Sequence, residues 1–294
     1  MAKQGAFRVL LATDGSPAAR AAVAATLMFP WPEPTRVQCI VARKTRASGR
    51  RRARVADAPD RRLRRIVETV SRALARRWPD AEVAILDMSP LKAVLSQARR
   101  FKASVIVVGS RGHGALGRLL MGSVSRDVIR RARCPVLVVR GRPRALRSLL
   151  VGLDGSINAK RAARFVAGLE ATQGGHVTLV RVVESTTVPS AALLPGGVRR
   201  ALRREVAALN ARQLARARRD VDRAATRLHA AGWIVRKMIR TGVPIRELLG
   251  AVKTTRAQAL VVGARGGGAA RRLLLGSVAA GALDRSPVPV LVVR

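Results

Sequence analysis

Two glycine-rich segments of this sequence have the spacing of a phosphate-binding loop. The pattern G-x2-G-x9-G-S runs from Gly109 to Ser123, and it recurs from Gly263 to Ser277. The first glycine allows a sharp turn after a strand, and the second lets the backbone approach a phosphate with no side chain in between. The closing Gly-Ser opens a helix, whose unpaired N–H groups and positive dipole end attract anions. One such pattern is a weak signal, but two copies predict a pair of phosphate cradles.

An aspartate follows the first apolar segment of each half of the chain, Asp14 in "TDGS" and Asp154 in "LDGS". Ligands of an open parallel sheet bind beyond the carboxyl ends of the strands, at the point where the strand order reverses. The carboxylate and the glycine loop would share that crevice, and the carboxylate could accept hydrogen bonds from ribose hydroxyls. The alternative is that Asp14 only caps the helix that begins near Pro17, a role that Ser16 could also fill.

Arg111 and Arg265 stand immediately before the second glycine of each loop, where a guanidinium group could bind phosphate oxygens through two hydrogen bonds. Neither loop is a Walker A motif, because G-K-[ST] is absent, and the dinucleotide fingerprint would follow the first strand instead of the fourth. His113 is replaced by Gly267 in the second loop and has no carboxylate to orient it, so we interpret it as an exposed loop residue. We predict no catalytic residue, because no nucleophile–base pair emerges, and the sequence does not indicate an efficient hydrolase.

The composition is strongly basic, since 57 Lys and Arg against 17 Asp and Glu give a formal net charge of +40. Such a field attracts polyanions, and the best candidate for nucleic-acid binding is the arginine-rich stretch 43–65, interpreted as a loop leading into a basic helix. Arginine is nevertheless spread along the whole chain, and the absence of Tyr leaves few aromatic platforms for stacking bases. Polyanion binding therefore stays an alternative to the phosphate cradles.

Cys39 and Cys134 form no C-x-x-C pair, and no His/Cys cluster has metal spacing, so the sequence predicts neither a disulfide framework nor a metal site. No apolar stretch approaches the roughly 20 residues of a membrane span, and the apolar segment near the N-terminus is too short for a signal peptide. We expect a cytoplasmic protein without membrane insertion.

The chain consists of two copies of one unit. The first copy contains "VLLATDGS" at residues 9–16, the second contains "LLVGLDGS" at residues 149–156, and both end in "PVLVVR". These repeats predict two domains, residues 1–143 and 147–294, joined by the linker "GRPRALRS". The second copy is longer, and we assign its extra residues to a Pro-, Ser- and Gly-rich loop at residues 184–197.

Short apolar runs alternate with helical segments in both copies. The predicted strands are residues 9–13, 37–42, 83–86, 105–108 and 136–139, then 149–153, 177–183, 234–239, 260–262 and 290–293. Their continuous Val, Ile and Leu content is typical of strands covered on both faces, and the alternation predicts parallel sheets with helices on both sides. The two "PVLVV" edge strands should pair with each other, because an exposed apolar edge is a liability.

Apolar side chains recur on one stripe of the helix that follows the second strand of each copy. In the first copy the helix spans residues 61–78, and its stripe contains Leu63, Ile66, Val67, Val70 and Leu74. Its longer counterpart in the second copy has a stripe of Leu202, Val206, Leu209, Val221 and Leu228. We expect both stripes to pack against their sheets.

The "DGS" turn, the doubled glycine pattern and the closing "PVLVV" resemble the universal stress protein family in its tandem form, over nearly the whole chain. The resemblance implies an α/β fold of two Rossmann-like domains of the adenine nucleotide alpha hydrolase-like type. Each domain would be a five-stranded parallel sheet in the order 3-2-1-4-5, with helices on both faces. The resemblance also implies the branch of the family that binds ATP or AMP, with Mg²⁺ as a companion of the phosphates.

In that branch the aspartate contacts the nucleoside, a residue late in the second strand packs on adenine, and the glycine loop with its Gly-Ser holds ribose and phosphates. For the first copy the resemblance assigns these roles to Thr13, Asp14, Ala42, Gly109, Arg111, Gly112, Gly122, Ser123, Val124 and Ser125. For the second copy it assigns them to Leu153, Asp154, Val182, Gly263, Arg265, Gly266, Gly276, Ser277 and Val278. Ala42 stands where the second copy has Val182, and Ser125 where it has Ala279, so the two sites are expected to differ in affinity.

The resemblance implies an adenine-nucleotide-binding protein of stress response or signalling, whose conformation or partner binding depends on the nucleotide. A basic stress protein that binds polyanions such as nucleic acid, and a slow ATPase, are the alternatives. The two copies would form an internal pseudo-dimer, and whole chains could associate further as a homodimer.

Overall fold

The computed structural model describes residues 5–43, 61–112, 121–141, 146–186, 195–266 and 275–294. Its strands are β1 (Phe7–Thr13), β2 (Thr35–Ala42), β3 (Glu82–Leu86), β4 (Val105–Gly109), β5 (Val136–Val139), β6 (Ser148–Leu153), β7 (His176–Val183), β8 (Ile234–Thr241), β9 (Ala259–Gly263) and β10 (Val290–Val293). Its helices are α1 (Pro17–Met28), α2 (Arg61–Ala75), α3 (Pro90–Arg100), α4 (Ser123–Arg131), α5 (Ile157–Ala167), α6 (Gly196–Ala230), α7 (Pro244–Thr254) and α8 (Ser277–Arg285). Every predicted strand is present, and several begin one or two residues earlier than predicted.

The strands form a single ten-stranded sheet in the order β3-β2-β1-β4-β5-β10-β9-β6-β7-β8. Within each half the strands are parallel and follow the order 3-2-1-4-5, so the predicted fold class is confirmed. The two halves meet where β5 pairs with β10 in antiparallel orientation. The chain therefore has one continuous sheet instead of two separate ones, with the predicted pairing of the "PVLVV" strands at its centre.

Helices cover both faces of the sheet, which is why its inner strands are apolar at nearly every position. On one face Val9 and Leu11 of β1 belong to a cluster that includes side chains of α1, α2, α5 and α6. On the other face Leu10 belongs to a cluster with side chains of α3, α4, α7 and α8. Consecutive residues of β1 thus point to opposite faces, and all three are fully buried.

Two equivalent arginines connect the halves at the junction of β5 and β10. Arg140 donates hydrogen bonds of 2.7 Å to the carbonyl oxygens of Leu283 and Asp284, at the C-terminal end of α8. Arg294 makes the reciprocal contacts with carbonyl oxygens at the C-terminal end of α4. Carbonyl groups at the C-terminal end of a helix have no hydrogen-bond donor within the helix. Each arginine therefore supplies the missing donor to the helix of the other half. The contacts give the junction a local two-fold symmetry.

Helix α6 differs from the prediction in its extent and in its exposure. It begins at Gly196, so the last two residues of the predicted loop 184–197 are helical. Its fully buried side chains are Ala217, Val221, Ala225 and Leu228, all in its second half. Leu209 is 43% exposed, so the prediction that it packs against the sheet is wrong.

Among the residues that the structure describes, no helix combines the length and the apolarity that a membrane span requires.

The two thiols are expected to resist alkylation while the protein is folded. Cys39 is fully buried in β2, and burial raises the pKa of its thiol. Burial also raises the pKa of Cys134 to about 11, so only about one such thiol in a thousand is a reactive thiolate at pH 8. Iodoacetamide at pH 8 should leave the native mass unchanged and should add two labels in denaturant, as measured by intact-protein mass spectrometry. Labelling of native Cys39 under these conditions would contradict its place in the core.

Candidate functional site

The predicted crevices lie at the carboxyl ends of β1 and β4 in the first half, and of β6 and β9 in the second. The two strands of each pair are neighbours in the sheet, and the helices that follow them pack on opposite faces. Loops that leave a sheet in opposite directions make room for a ligand between them. The structure places Asp14 directly after β1 and Gly109 at the end of β4, and it repeats this arrangement with Asp154 and Gly263.

The Asp-Gly-Ser segment after β1 is a tight turn held by its own side chains. Oδ1 of Asp14 accepts a hydrogen bond of 2.9 Å from the N–H of Ser16, and this Asx turn fixes the carboxylate in place. Gly15 has a φ of +74°, a left-handed conformation that glycine adopts readily. The hydroxyl of Ser16 accepts a hydrogen bond of 3.2 Å from the N–H of Ala19, so Ser16 rather than Asp14 caps α1. The equivalent turn at Asp154 has the same 2.9 Å hydrogen bond.

The carboxylate of each turn lies against the second glycine of the neighbouring loop. A Cβ atom added to Gly112 would lie 2.6 Å from Oδ2 of Asp14, and one added to Gly266 would lie 2.5 Å from Oδ2 of Asp154. Both distances are too short for a real Cβ contact, so a side chain at either glycine would displace the carboxylate. The two groups that the sequence predicted to share a crevice are therefore in direct proximity, in both halves.

Serine hydroxyls tie each Asp-Gly-Ser turn to the glycine loop. Ser16 donates a hydrogen bond of 3.3 Å to the carbonyl oxygen of Arg111, and Ser156 donates one of 3.3 Å to the carbonyl oxygen of Arg265. In the second half the side-chain amide of Asn158 adds a hydrogen bond of 3.2 Å to the same carbonyl of Arg265. The first half has an alanine at that position, so only the second loop has this additional support.

The first glycine of each loop lets a helix approach the end of a strand. A Cβ atom on Gly109 would lie 2.6 Å from the carbonyl carbon of Ala18 in α1, and one on Gly263 would lie 2.9 Å from the backbone nitrogen of Ala159 in α5. Neither glycine has a positive φ, so close packing, and not the predicted sharp turn, is the reason for glycine here. The contacts fix α1 and α5, and with them the serine caps, above the strand ends.

The helices that follow the glycine loops have glycine as their N-cap residue. Gly122 precedes α4 and Gly276 precedes α8, whereas serine side chains cap α1 and α5. The N–H of Gly122 donates to the carbonyl oxygen of Ser110 at 2.9 Å, which holds the start of α4 beside the end of β4. Because no N-cap side chain takes up the first N–H groups of α4 and α8, these groups can bind an anion, which the helix dipole also favours.

Arg111 and Arg265 lie next to the arginines of the central junction. Burial lowers the pKa of Arg140, and the positive charge of Arg111 lowers it further. The same two causes lower the pKa of Arg294, whose charged neighbour is Arg265. Each crevice thus adjoins a pair of guanidinium groups, which favours an anionic ligand. In the sequence, Arg140 and Arg294 are the last residues of the two "PVLVVR" segments. Their role could not be predicted from this repeat, because it depends on the pairing of β5 with β10.

The remaining predicted residues border the crevices at strand ends and helix starts. Those at or beside the strand ends are Thr13, Ala42, Leu153 and Val182. Those in the first turns of α4 and α8 are Ser123, Val124, Ser125, Ser277 and Val278. Ser125 is buried, and its hydroxyl donates a hydrogen bond of 2.6 Å to the carbonyl oxygen of Gly109, so it supports the end of β4 in this structure. The second half has Ala279 there and lacks this hydrogen bond.

Different side chains cover the Asp-Gly-Ser turn in the two halves. The atoms nearest to a Cβ added at Gly15 belong to Ile66 of α2. Those nearest to a Cβ added at Gly155 belong to Asp220 of α6 and Arg181 of β7. A polar pair in the second half thus replaces an apolar side chain in the first. Sequence patterns did not indicate this difference, because only the packing of α6 and β7 brings Asp220 and Arg181 to the turn.

Parts of several predicted segments lie outside the described residues, among them residues 142–145 of the linker and residues 187–194 of the loop 184–197. Residues 113–120, which include His113, and residues 267–274 complete the glycine loops and belong to this group. The arginine-rich stretch 43–65 is described only at Arg43, which pairs with Asp87, and from Arg61 onward, where α2 begins. The nucleic-acid interpretation of that stretch therefore stays a prediction.

The sequence matches the model of the universal stress protein family twice, over residues 6–140 and 145–294. A curated universal stress protein of Mycobacterium tuberculosis is 35% identical over 205 residues, which cover 66% of this chain and 62% of that protein. A universal stress protein of Thermus aquaticus is 41% identical over 85 residues, which cover 29% of this chain and 62% of that protein. The chain thus aligns with about three-fifths (62%) of the length of these curated relatives.

Solved structures resemble the whole chain. The crystal structure of a universal stress protein from Archaeoglobus fulgidus has a TM-score of 0.61 at 20% identity, and the match covers 98% of each chain. A protein of unknown function from Pseudomonas aeruginosa has a TM-score of 0.57 at 16% identity, covering 99% of this chain and 93% of that one. Identities this low show a common fold, here one that extends over both halves.

Proposed function

Because this chain belongs to the universal stress protein family, we propose that its two crevices bind an adenine nucleotide, ATP or AMP, in a stress-response or signalling role. The observation that supports this most directly is the proximity of a carboxylate and a glycine, at Asp14 and Gly112 and again at Asp154 and Gly266. A carboxylate suits ribose hydroxyls, and a glycine beside it leaves space for a phosphate chain. The carboxylate and the glycine would therefore lie beside the bond that joins the ribose to the first phosphate.

The phosphates would lie at the first turns of α4 and α8. The N-caps Gly122 and Gly276 leave backbone N–H groups for phosphate oxygens, and Arg111 and Arg265 would add positive charge from the loops. A Mg²⁺ ion carried by the nucleotide would prefer the phosphate oxygens and would lessen their repulsion by the nearby carboxylate. Adenine would pack at the ends of the second strands, on the small side chain of Ala42 in one crevice and on a valine in the other.

Calorimetric titration of the full chain with ATP tests this proposal. Replacing both Asp14 and Asp154 with alanine should weaken ATP binding by about tenfold to a hundredfold, because a charged acceptor for the ribose hydroxyls is lost. The matched control replaces Asp80 and Glu170, exposed carboxylates in the connections to β3 and β7 at the opposite edge of the sheet. Both double variants raise the net charge by the same amount, so a general attraction for anions cannot explain a difference between them.

The control variant should bind ATP like the wild type. Equal affinities of all three proteins would refute the contact between the carboxylates and the nucleoside. Because Asp14 also holds the turn before α1, thermal unfolding of each variant, followed by circular dichroism, separates a loss of binding from a loss of fold.

Nucleotide binding would also change the charge at the junction of the halves. Arg111 and Arg265 adjoin Arg140 and Arg294, so phosphates bound to the loop arginines would relieve repulsion within these pairs. We propose that this is how occupancy alters the conformation or the partner surface of the protein, with any hydrolysis being slow.

A further inference from the structure

A second concentration of positive charge lies at the edge of the sheet opposite to the crevices. There the amino ends of β1 and β2 and the carboxyl end of α3 border an open cavity of about 350 Å³, which we call the amino-edge cavity. Its lining residues are Arg8, Arg36, Arg100, Phe101 and Lys102. Four of the five are cationic and none has a carboxylate, so the lining does not balance its own charge.

The sheet holds two of these arginines side by side. Arg8 of β1 and Arg36 of β2 are register partners on adjacent strands, whose backbones lie about 4.8 Å apart. Like charges directly opposite each other destabilise a sheet. In the described part of the chain, the ion pairs of the structure all involve cations other than those that line the cavity. No carboxylate among the described residues therefore offsets the repulsion within the cluster by an ion pair.

The carboxyl end of α3 explains part of the cluster. Carbonyl groups at a helix C-terminus attract cations, and Arg8 donates a hydrogen bond of 3.4 Å to the carbonyl oxygen of Phe101. Lys102 has a φ of +50°, and its counterpart Arg256 in the second half has a φ of +51°, so a basic residue follows both helices in the same left-handed conformation. Helix-end electrostatics thus account for Lys102, but not for Arg36, which lies near the start of a strand.

The second half of the chain provides an internal comparison. Its residues at the positions equivalent to the cavity lining are Ser148, His176, Thr254, Thr255 and Arg256. Ser148 and His176 are register partners at the same place in the sheet, and Thr254 ends α7 as Arg100 ends α3. If these residues only reflected an arginine-rich composition, both halves should have similar numbers of basic residues at these positions. The first half instead has three arginines and a lysine where the second has one arginine. The difference indicates a local function in the first half.

We propose that the amino-edge cavity binds an oligophosphate, a small anion with two or more linked phosphate groups. Guanidinium groups bind phosphate oxygens through paired hydrogen bonds, and three arginines converge on this one concave site. Its volume of about 350 Å³ lies within the range of small-ligand pockets. Nucleic acid would be better matched by an extended basic stripe with several aromatic platforms, whereas this cavity has a single ring, that of Phe101. The cavity is remote from the crevices, so the inference does not depend on nucleotide binding there.

Calorimetric titration of the full chain with inorganic tripolyphosphate tests the inference. The test variant carries Arg36→His and Arg100→Thr, the residues with which the second half builds the same elements. The control variant carries Arg203→His and Arg212→Thr on the exposed first half of α6, so both variants lose the same charge. We expect the test variant to bind tripolyphosphate at least about tenfold more weakly than the wild type, because two charge-assisted contacts are lost. The control should stay within about twofold of the wild type.

Equal affinities of the test and control variants would overturn the inference, and so would a wild-type protein that does not bind tripolyphosphate. Because tripolyphosphate would also fit the phosphate cradles proposed for the crevices, all titrations are repeated with saturating AMP, which fills those crevices. The difference between the test and control variants should persist with AMP bound, which separates failure at the crevices from failure at this cavity. If circular dichroism shows that the test variant is unfolded, Arg36→Gln alone replaces it, because this side chain is exposed. The same proteins are also titrated with single-stranded DNA. A loss seen with DNA but not with tripolyphosphate would overturn the inference in favour of nucleic acid.

Discussion

Truncation of the leucine pair at the centre of the sheet is expected to destabilise the whole chain. Replacing Leu137 or Leu291 with alanine should lower the free energy of unfolding by about 2–5 kcal/mol in each case, since both side chains are fully buried. The two are register partners in the antiparallel pair of β5 and β10, so the losses of the single variants should not add in the double variant. Urea unfolding measures both effects when it is followed by tryptophan fluorescence, which comes from Trp31 and Trp78 in the first half and from Trp233 in the second.

Leu209→Ala is the matched control for these variants. Its side chain is 43% exposed, so its truncation should change the free energy of unfolding by no more than about 0.5 kcal/mol. A loss for Leu137→Ala as small as that for Leu209→Ala would show that the junction contributes little to the core. Separate urea transitions for the two halves in the leucine variants, with a single one in the wild type, would show that this junction couples them.

The substitution Gly109→Ala, which adds a single methyl group, is expected to lower both the stability of the fold and the affinity of the first crevice for ATP. The new Cβ would lie 2.6 Å from the carbonyl carbon of Ala18, so α1 has to move away from β4. Overpacking of this kind costs about 1–3 kcal/mol, which lowers the midpoint of thermal unfolding by about 2–5 °C for a chain of this size. Because α1 carries Ser16, the movement also disturbs the turn that holds Asp14, and the affinity for ATP should fall together with stability.

Gly5→Ala is the control, because no atom lies within 4 Å of the Cβ that this substitution adds. Its midpoint of thermal unfolding should stay within about 1 °C of the wild type. Gly263→Ala repeats the test in the second half, where the Cβ would lie 2.9 Å from the backbone nitrogen of Ala159. A Gly109→Ala protein as stable as Gly5→Ala would be incompatible with the close approach of α1 to β4.

The fold could be predicted because its strands carry a strong signal. Continuous runs of Val, Ile and Leu indicate strands covered on both faces, and the strands at residues 136–139 and 290–293 have the predicted bounds. The apolar "PVLVV" edges also predicted the junction between the halves. Leu209 shows the limit of this reasoning, because a helical stripe gives the direction of an apolar face but not the extent of the sheet beneath it. In α6 the helix continues beyond the part that is buried.

The candidate site could be predicted in its main-chain features but not in its side-chain contacts. The rule that ligands bind where the strand order reverses placed Asp14 beside the glycine loop, as the structure has it. No spacing rule connects Ser16 with Arg111, which are 95 positions apart, or Arg140 with the end of α8. These contacts depend on how elements distant in sequence pack together, and the unequal cover of the two turns depends on it as well.

The strands β5 and β10 that join the halves belong to the same polypeptide. Tethered partners meet at an effective concentration of about a millimolar, whatever the concentration of the protein itself. Two independent subunits held by equally short strands would dissociate below a certain protein concentration. The pairing of β5 with β10 within one chain does not depend on protein concentration. A cell that makes only a few copies of the chain would therefore still have both crevices assembled side by side.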